Sequence, residues 1–128
     1  MIQLEHKSDL IALHRAIMEA KFHDPPSNEE VLTSPILSRI SNAILDDIVD
    51  IERREARSQQ VDSWRRWRDV GARPEIVKLV IECARQSPHW AKMTREDKGD
   101  YIRCGLSPIL AAPDELALLV DEVEKVRG

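Results

Sequence analysis

Glycine is scarce in this chain, with four in 128 residues. That number cannot build a phosphate cradle, and no GxGxxG, P-loop or GxSxG sequence occurs. The two cysteines, Cys83 and Cys104, stand among apolar residues and form no CxxC or Cys/His cluster. Reduced, buried thiols of a cytoplasmic protein are expected from that placement. His6, His14, His23 and His89 offer no HxxxH or ExxH spacing, so no transition-metal ligand set is legible. No run of eighteen apolar residues occurs, which argues against a membrane span. The opening MIQLEHKSDL also lacks the apolar stretch and small-residue cleavage site of a secretory leader. Strand-like alternation is missing as well. Aromatic residues number five in all, which makes VDSWRRWRDVG, residues 61 to 71, with two of them, the most unusual stretch of the sequence.

What is present reads as helix. Charged residues make up 33% of the chain and apolar residues 42%, the balance of helical surfaces laced with ion pairs. Capping residues and prolines divide the chain into pieces. Ser8 is placed to cap a first helix reaching about Phe22, with HDPPSN as the break. Ser27 and Glu30 have capping-box spacing. Ser34 followed by Pro35 opens a long segment without a breaker until Gly71. Pro74 starts the next helix, which ends before Pro88. Thr94 with Asp97 opens another, closed by Gly105, and a last one runs from Pro113 to about Val126. The sequence predicts a single all-α domain over 1–128, a compact bundle of five or six helices with one long central segment over about 35–70.

Placing residues at about 100° per position gives each helix a face. In the last helix Leu116, Leu119, Val120, Val123 and Val126 form one stripe. The helix after Pro74 is apolar over half its circumference or more, from Ile76 to Ala84, which marks it as the centre of the bundle. The long segment changes face. Ile36, Ile40, Ile44, Ile48 and Ile51 share one side, whereas Val61, Trp64, Trp67 and Val70 centre roughly 180° away on a continuous helix. Two geometries fit. Either the helix breaks near Ser58–Gln60, with Asp62 capping a new one that turns both tryptophans into the same core, or one long helix presents them elsewhere. ERREARSQQ contains good helix formers and no glycine or proline, which favours continuity.

On a continuous helix Arg53, Arg57, Gln60, Trp64, Trp67 and Arg68 fall on one stripe, and Arg and Trp are the residues most enriched at interface hot spots. Segment 52–73 holds seven arginines against four acids in a chain of net charge −4. A basic, aromatic stripe on an acidic body fits a protein interface, with self-association into a dimer foremost. The leading expectation is therefore a small cytoplasmic helical binding module, of regulatory, adaptor or immunity type, rather than an enzyme. The tryptophans are then covered at least in part from outside their own core. Nucleic acid is a weaker partner, because Glu52, Glu55, Asp62 and Asp69 interrupt the stripe.

Three polar residues fall on apolar arcs: His14 and Lys21 in the first helix, and Asp47 among Ile40, Ile44 and Ile51. Buried charges need partners, so the expectation is a buried polar group in which Asp47 faces His14 or Lys21. LDDIVD, residues 45–50, resembles the DDxxD motif with which polyprenyl synthases and terpene cyclases hold magnesium against a diphosphate. That resemblance covers six residues, and this chain has no second aspartate-rich motif. Glu52-Arg-Arg-Glu55 is similar to the ExxE half of the all-α nucleotide pyrophosphohydrolases, but no ExxD follows. These resemblances imply, as the alternative, a magnesium-dependent phosphohydrolase using Asp46, Asp47, Asp50 and Glu55. Outside that alternative no cofactor is expected.

Overall fold

The structure, a computed structural model, describes residues 3–23 and 28–125 together with the backbone of 126–127. These residues form an all-α bundle: α1 (Lys7–Lys21), α2 (Glu29–Leu32), α3 (Pro35–Arg54), α4 (Ser58–Trp67), α5 (Pro74–Gln86), α6 (Arg95–Leu106) and α7 (Pro113–Arg127). Single 3₁₀ turns precede α5 and α6. Among the described residues no helix is long and apolar enough to cross a membrane.

Most helix starts follow their capping chemistry. The Ser34 hydroxyl accepts the Leu37 N–H at 3.1 Å, ahead of Pro35. The Thr94 hydroxyl accepts the Asp97 N–H at 3.1 Å. Glu115 reaches back to the Ala112 N–H at 2.9 Å, the returning half of a capping box. Two starts differ from expectation. α1 begins at Lys7 after an uncapped His6, so Ser8 lies inside the first turn. α2 is capped by Asn28, whose side chain accepts the Glu30 N–H at 2.7 Å; the expected cap Ser27 and the break around it lie outside the described residues. α6 does not stop at Gly105 but runs through it to Leu106.

The long segment is two helices, and the continuous reading is wrong. α3 ends in a Schellman motif: Arg57 N–H bonds to Glu52 C=O at 2.9 Å and Ala56 N–H to Arg53 C=O at 3.1 Å. Ala56 occupies the left-handed position at φ 57°, where glycine is usual. The reversal lies at Glu55–Arg57 rather than at Ser58–Gln60, and Asp62 is an exposed residue within α4 instead of its cap. Glu52, 2% exposed, helps anchor the corner by accepting from the Lys7 ammonium of α1. Two further contacts, Lys7 to Glu55 at 3.7 Å and Arg57 to Glu55 at 3.2 Å, surround the same turn.

The reversal folds α4 back along α3, and Trp64 and Trp67 pack on the cluster of Leu10, Ile17, Ile44, Leu45 and Ile48. A larger cluster gathers around α5, α6 and α7, with Val80, Trp90, Ile102, Leu106 and Val123 at its centre. Trp67 touches both clusters and so joins the two halves of the core. In α7, Val120 and Val123 are buried as their stripe requires, while the Val126 side chain lies outside the described residues. Trp90, in the connection SPHWAKM, is the deepest aromatic at 0% exposure and meets Tyr101 edge-on at 5.5 Å.

Two substitutions check this architecture. Ala56→Gly removes the cost of an L-residue in the left-handed region, about 1–2 kcal/mol, against a smaller entropic loss in the unfolded chain. Urea unfolding is expected to show a gain of roughly 1 kcal/mol. Gly105→Ala acts in the opposite direction, because a β-carbon there would stand 2.9 Å from Val80 Cγ1, on a side chain with no freedom to withdraw. A loss of about 1–3 kcal/mol in the same measurement is the expected cost of overpacking.

Candidate functional site

Folding α4 back onto α3 brings the arginines and the aspartates of the sequence into one cleft. Asp46, Asp50 and Arg53 of α3 and Arg65 and Arg68 at α4 line it, with Leu110, around a volume of about 430 Å³. Arg68 is 7% exposed and fully engaged: it donates to Asp46 at 2.8 Å, to Asn42 at 3.0 Å and to the Pro108 carbonyl at 2.9 Å. Arg53 donates to Asp50 at 3.0 Å. The two rival sequence readings therefore draw on residues that neutralise each other. Asp47 is exposed and Glu55 sits at the α3–α4 turn, so Asp46, Asp47, Asp50 and Glu55 do not converge. Among the described residues no group of three or more His, Cys, Asp or Glu side chains is gathered to hold a metal ion.

The expected Arg/Trp stripe does not exist as one face. It requires an unbroken helix, and the turn at Ala56 separates Arg53 from the residues after it. Arg57 rests on Glu55, Gln60 is exposed on α4, and Arg68 is buried. Trp64 and Trp67 are half-buried against their own core. The cation over the Trp67 indole is instead Arg73, 5.4 Å from the ring, with its Nε donating to the Trp67 carbonyl at 3.0 Å.

The buried polar group is also arranged differently. His14 and Lys21 are buried, at 6% and 1% exposure, but neither meets Asp47. Asp47 lies on the edge of its arc, where the turn of α3 carries it to solvent. His14 stands edge-to-face with Trp64 at 5.7 Å and with Trp67 at 5.1 Å, and its Nδ1 has no hydrogen-bond partner. Burial, with Arg15 and Arg68 nearby, lowers its pKa below the usual 6.5. Lys21 crosses the core to the end of α6. Its ammonium donates to the Cys104 carbonyl at 2.9 Å, to the Ser107 hydroxyl at 2.8 Å and to the Ser107 carbonyl. Desolvation pulls it down to about 8.

The feature that sequence reasoning missed is a groove between α5 and α7 of about 580 Å³. Val70, Val77, Ile81 and Leu119 give it an apolar lining, with Lys78, Glu82 and Arg85 along α5 and Glu115, Leu118 and Glu122 along α7. Arg85 spans it, donating to the Glu122 carbonyl at 2.9 Å. Glu115 is committed to capping α7. Leu118 is 68% exposed, the most exposed large apolar residue described. The signal in the sequence was slight: Leu118 stands outside the α7 stripe, and the apolar arc of α5 is wider than its neighbours cover.

His14 and Lys21 give pH signatures of the same sign in different windows, because burial lowers both pKa values. The unfolded chain takes up the His14 proton near pH 6.5 and the folded chain only at lower pH. Stability contributed by neutral His14 is thus complete above pH 6.5 and declines below it. His14→Phe keeps a ring and removes an unbonded nitrogen; it should cost under about 1.5 kcal/mol and flatten that decline in melts between pH 7 and pH 5. For Lys21 the folded chain releases its proton near pH 8 and the unfolded chain near 10.5, so its contribution rises across that interval. In Lys21→Met the Ser107 hydroxyl still donates to the Cys104 carbonyl, but the Ser107 carbonyl is left bare. The expected loss is about 1–3 kcal/mol at pH 7, widening toward pH 10 relative to the parent.

Comparison with protein-family models, with curated proteins and with solved structures gives no match to this chain.

Proposed function

We propose that this protein is a helical binding module of the adaptor or regulatory class, acting by contact and receiving one helix of a protein partner in the groove between α5 and α7. One observation carries the reading: an apolar-lined groove of about 580 Å³ beside a leucine that is 68% exposed. Isolated exposed leucines are ordinary, but an exposed one at the edge of an apolar groove with charged rims is the arrangement that takes an amphipathic helix. A partner helix seating two or three apolar side chains gains about 1.5–3 kcal/mol from each. After the cost of association that leaves roughly micromolar affinity.

Two other readings have less support. Phosphoryl chemistry on magnesium needs carboxylates that converge and are free, whereas Asp46 and Asp50 are held by Arg68 and Arg53. Nucleic-acid binding through the basic segment needs aromatic faces for bases to stack on, and both tryptophans are turned into the core.

A displayed library of amphipathic helical peptides, panned on the folded protein, tests the groove. Enriched peptides should repeat apolar residues at i, i+3 or i+4, and i+7 and bind with roughly micromolar affinity. They should lose about tenfold or more on Leu118→Arg and be indifferent to Glu19→Arg on exposed α1. Failure to enrich, or binders that ignore Leu118→Arg, would overturn the proposal.

A further inference from the structure

We infer that the occupant of this groove is the same face of a second copy of the chain, whose α7 leucine enters it, in a two-fold symmetric dimer. The inference rests on the reading of the α5–α7 groove as a docking surface. Leu118 stands on the rim, 68% exposed, so it does not fill the groove that it borders. A two-fold axis beside the rim resolves this, since each copy offers its leucine to the groove of the other. Knob and hole are then supplied by the same surface, the condition for an isologous contact that closes as a dimer.

The charges on the rim suit the same axis. Lys78 and Glu82 lie one turn apart on the exposed side of α5, and neither has an ion-pair partner among the described residues. An axis perpendicular to α5 between them lays the two α5 helices antiparallel. Lys78 then meets Glu82 of the partner subunit, and Glu82 meets Lys78 of the partner subunit. One positive and one negative charge are balanced by their own symmetry mates, whereas a strongly basic or strongly acidic partner would oppose one of them. The remaining rim charges make no such demand, because Arg85 is bonded to Glu122 and Glu115 caps its own helix. Two leucines desolvated at the centre, ringed by reciprocal ion pairs, have the layout of an interface with a small energetic core.

Sedimentation of the full chain from micromolar to millimolar concentration tests this. The parent should form a dimer, and Leu118→Arg should be monomeric with unchanged helical circular dichroism, since that side chain supports no core. Lys78→Glu and Glu82→Lys should each weaken the dimer by about tenfold, because each sets like charges opposite at two symmetric places. The double variant K78E/E82K restores both pairs and should return to within a few-fold of the parent, a result that surface charge alone would not produce. A parent monomeric at millimolar concentration overturns the inference: if library peptides still bind the groove, only the second copy falls, and if they do not, the docking surface falls with it. A dimer that ignores Leu118→Arg, or a double variant as weak as either single one, overturns it equally.

Discussion

Arg68 is the side chain on which both halves of the molecule depend. Its guanidinium bonds to Asn42 and Asp46 of α3 and to the carbonyl of Pro108, while its own carbonyl accepts the Leu110 N–H at 2.7 Å. The α3–α4 layer is thereby tied to the connection leading into α7. A cation taken almost wholly out of water is tolerable only when it is paired and hydrogen-bonded in good geometry, and here each of the three guanidinium nitrogens donates to an oxygen. Lys21 grips the preceding part of the same connection from α1. The carbonyls of Cys104, Ser107 and Pro108 thus accept from two buried cations, while those of Leu106 and Leu110 accept from the N–H groups of Ile109 and Val70, which lets an irregular segment lie inside the bundle.

The second constraint is the corner at Ala56. Without it the arginines and tryptophans of residues 53–68 would form a protruding basic stripe. With it, Trp64 and Trp67 form a wall on the first apolar cluster, Trp67 reaching the second as well, and Arg68 meets Asp46 of α3. A left-handed alanine is an expensive way to end a helix. The return is the burial of two indole rings, and the ion pairs of Lys7 and Arg57 surround the corner. His14 belongs to this wall. Its ring contributes edge-to-face contacts and keeps its neutral form, which makes it a packing residue rather than a proton carrier.

With those groups committed to the fold, an apolar groove is left between α5 and α7. The composition of α7 explains the opening. Its stripe turns Val120 and Val123 into the core, and Leu118 falls on the next face. That residue has no role in the interior, and the proposed docking would give it one at the surface.

Helix content, most helix starts and the apolar stripes were determined by the sequence itself, because capping hydroxyls, prolines and the 3.6-residue period act within a few residues of each other. The burial of His14 and Lys21 was equally legible, since an arc of apolar neighbours carries a polar residue inward whatever it meets there. The partners were not. Asp47 shares a helical arc with Ile44 and Ile51, yet an arc drawn on one helix does not say where its neighbour ends, and α1 covers only part of it. The break at Ala56 left no mark either, because its usual signature is glycine and here tertiary burial of the tryptophans compensates for the wrong residue. Tertiary structure alone decided that Arg68 and Asp46 would meet, that Lys21 would reach carbonyls 83 and 86 positions away, and that a groove would open beside Leu118. Each depends on the angle and spacing between helices distant in sequence, which local periodicity does not carry.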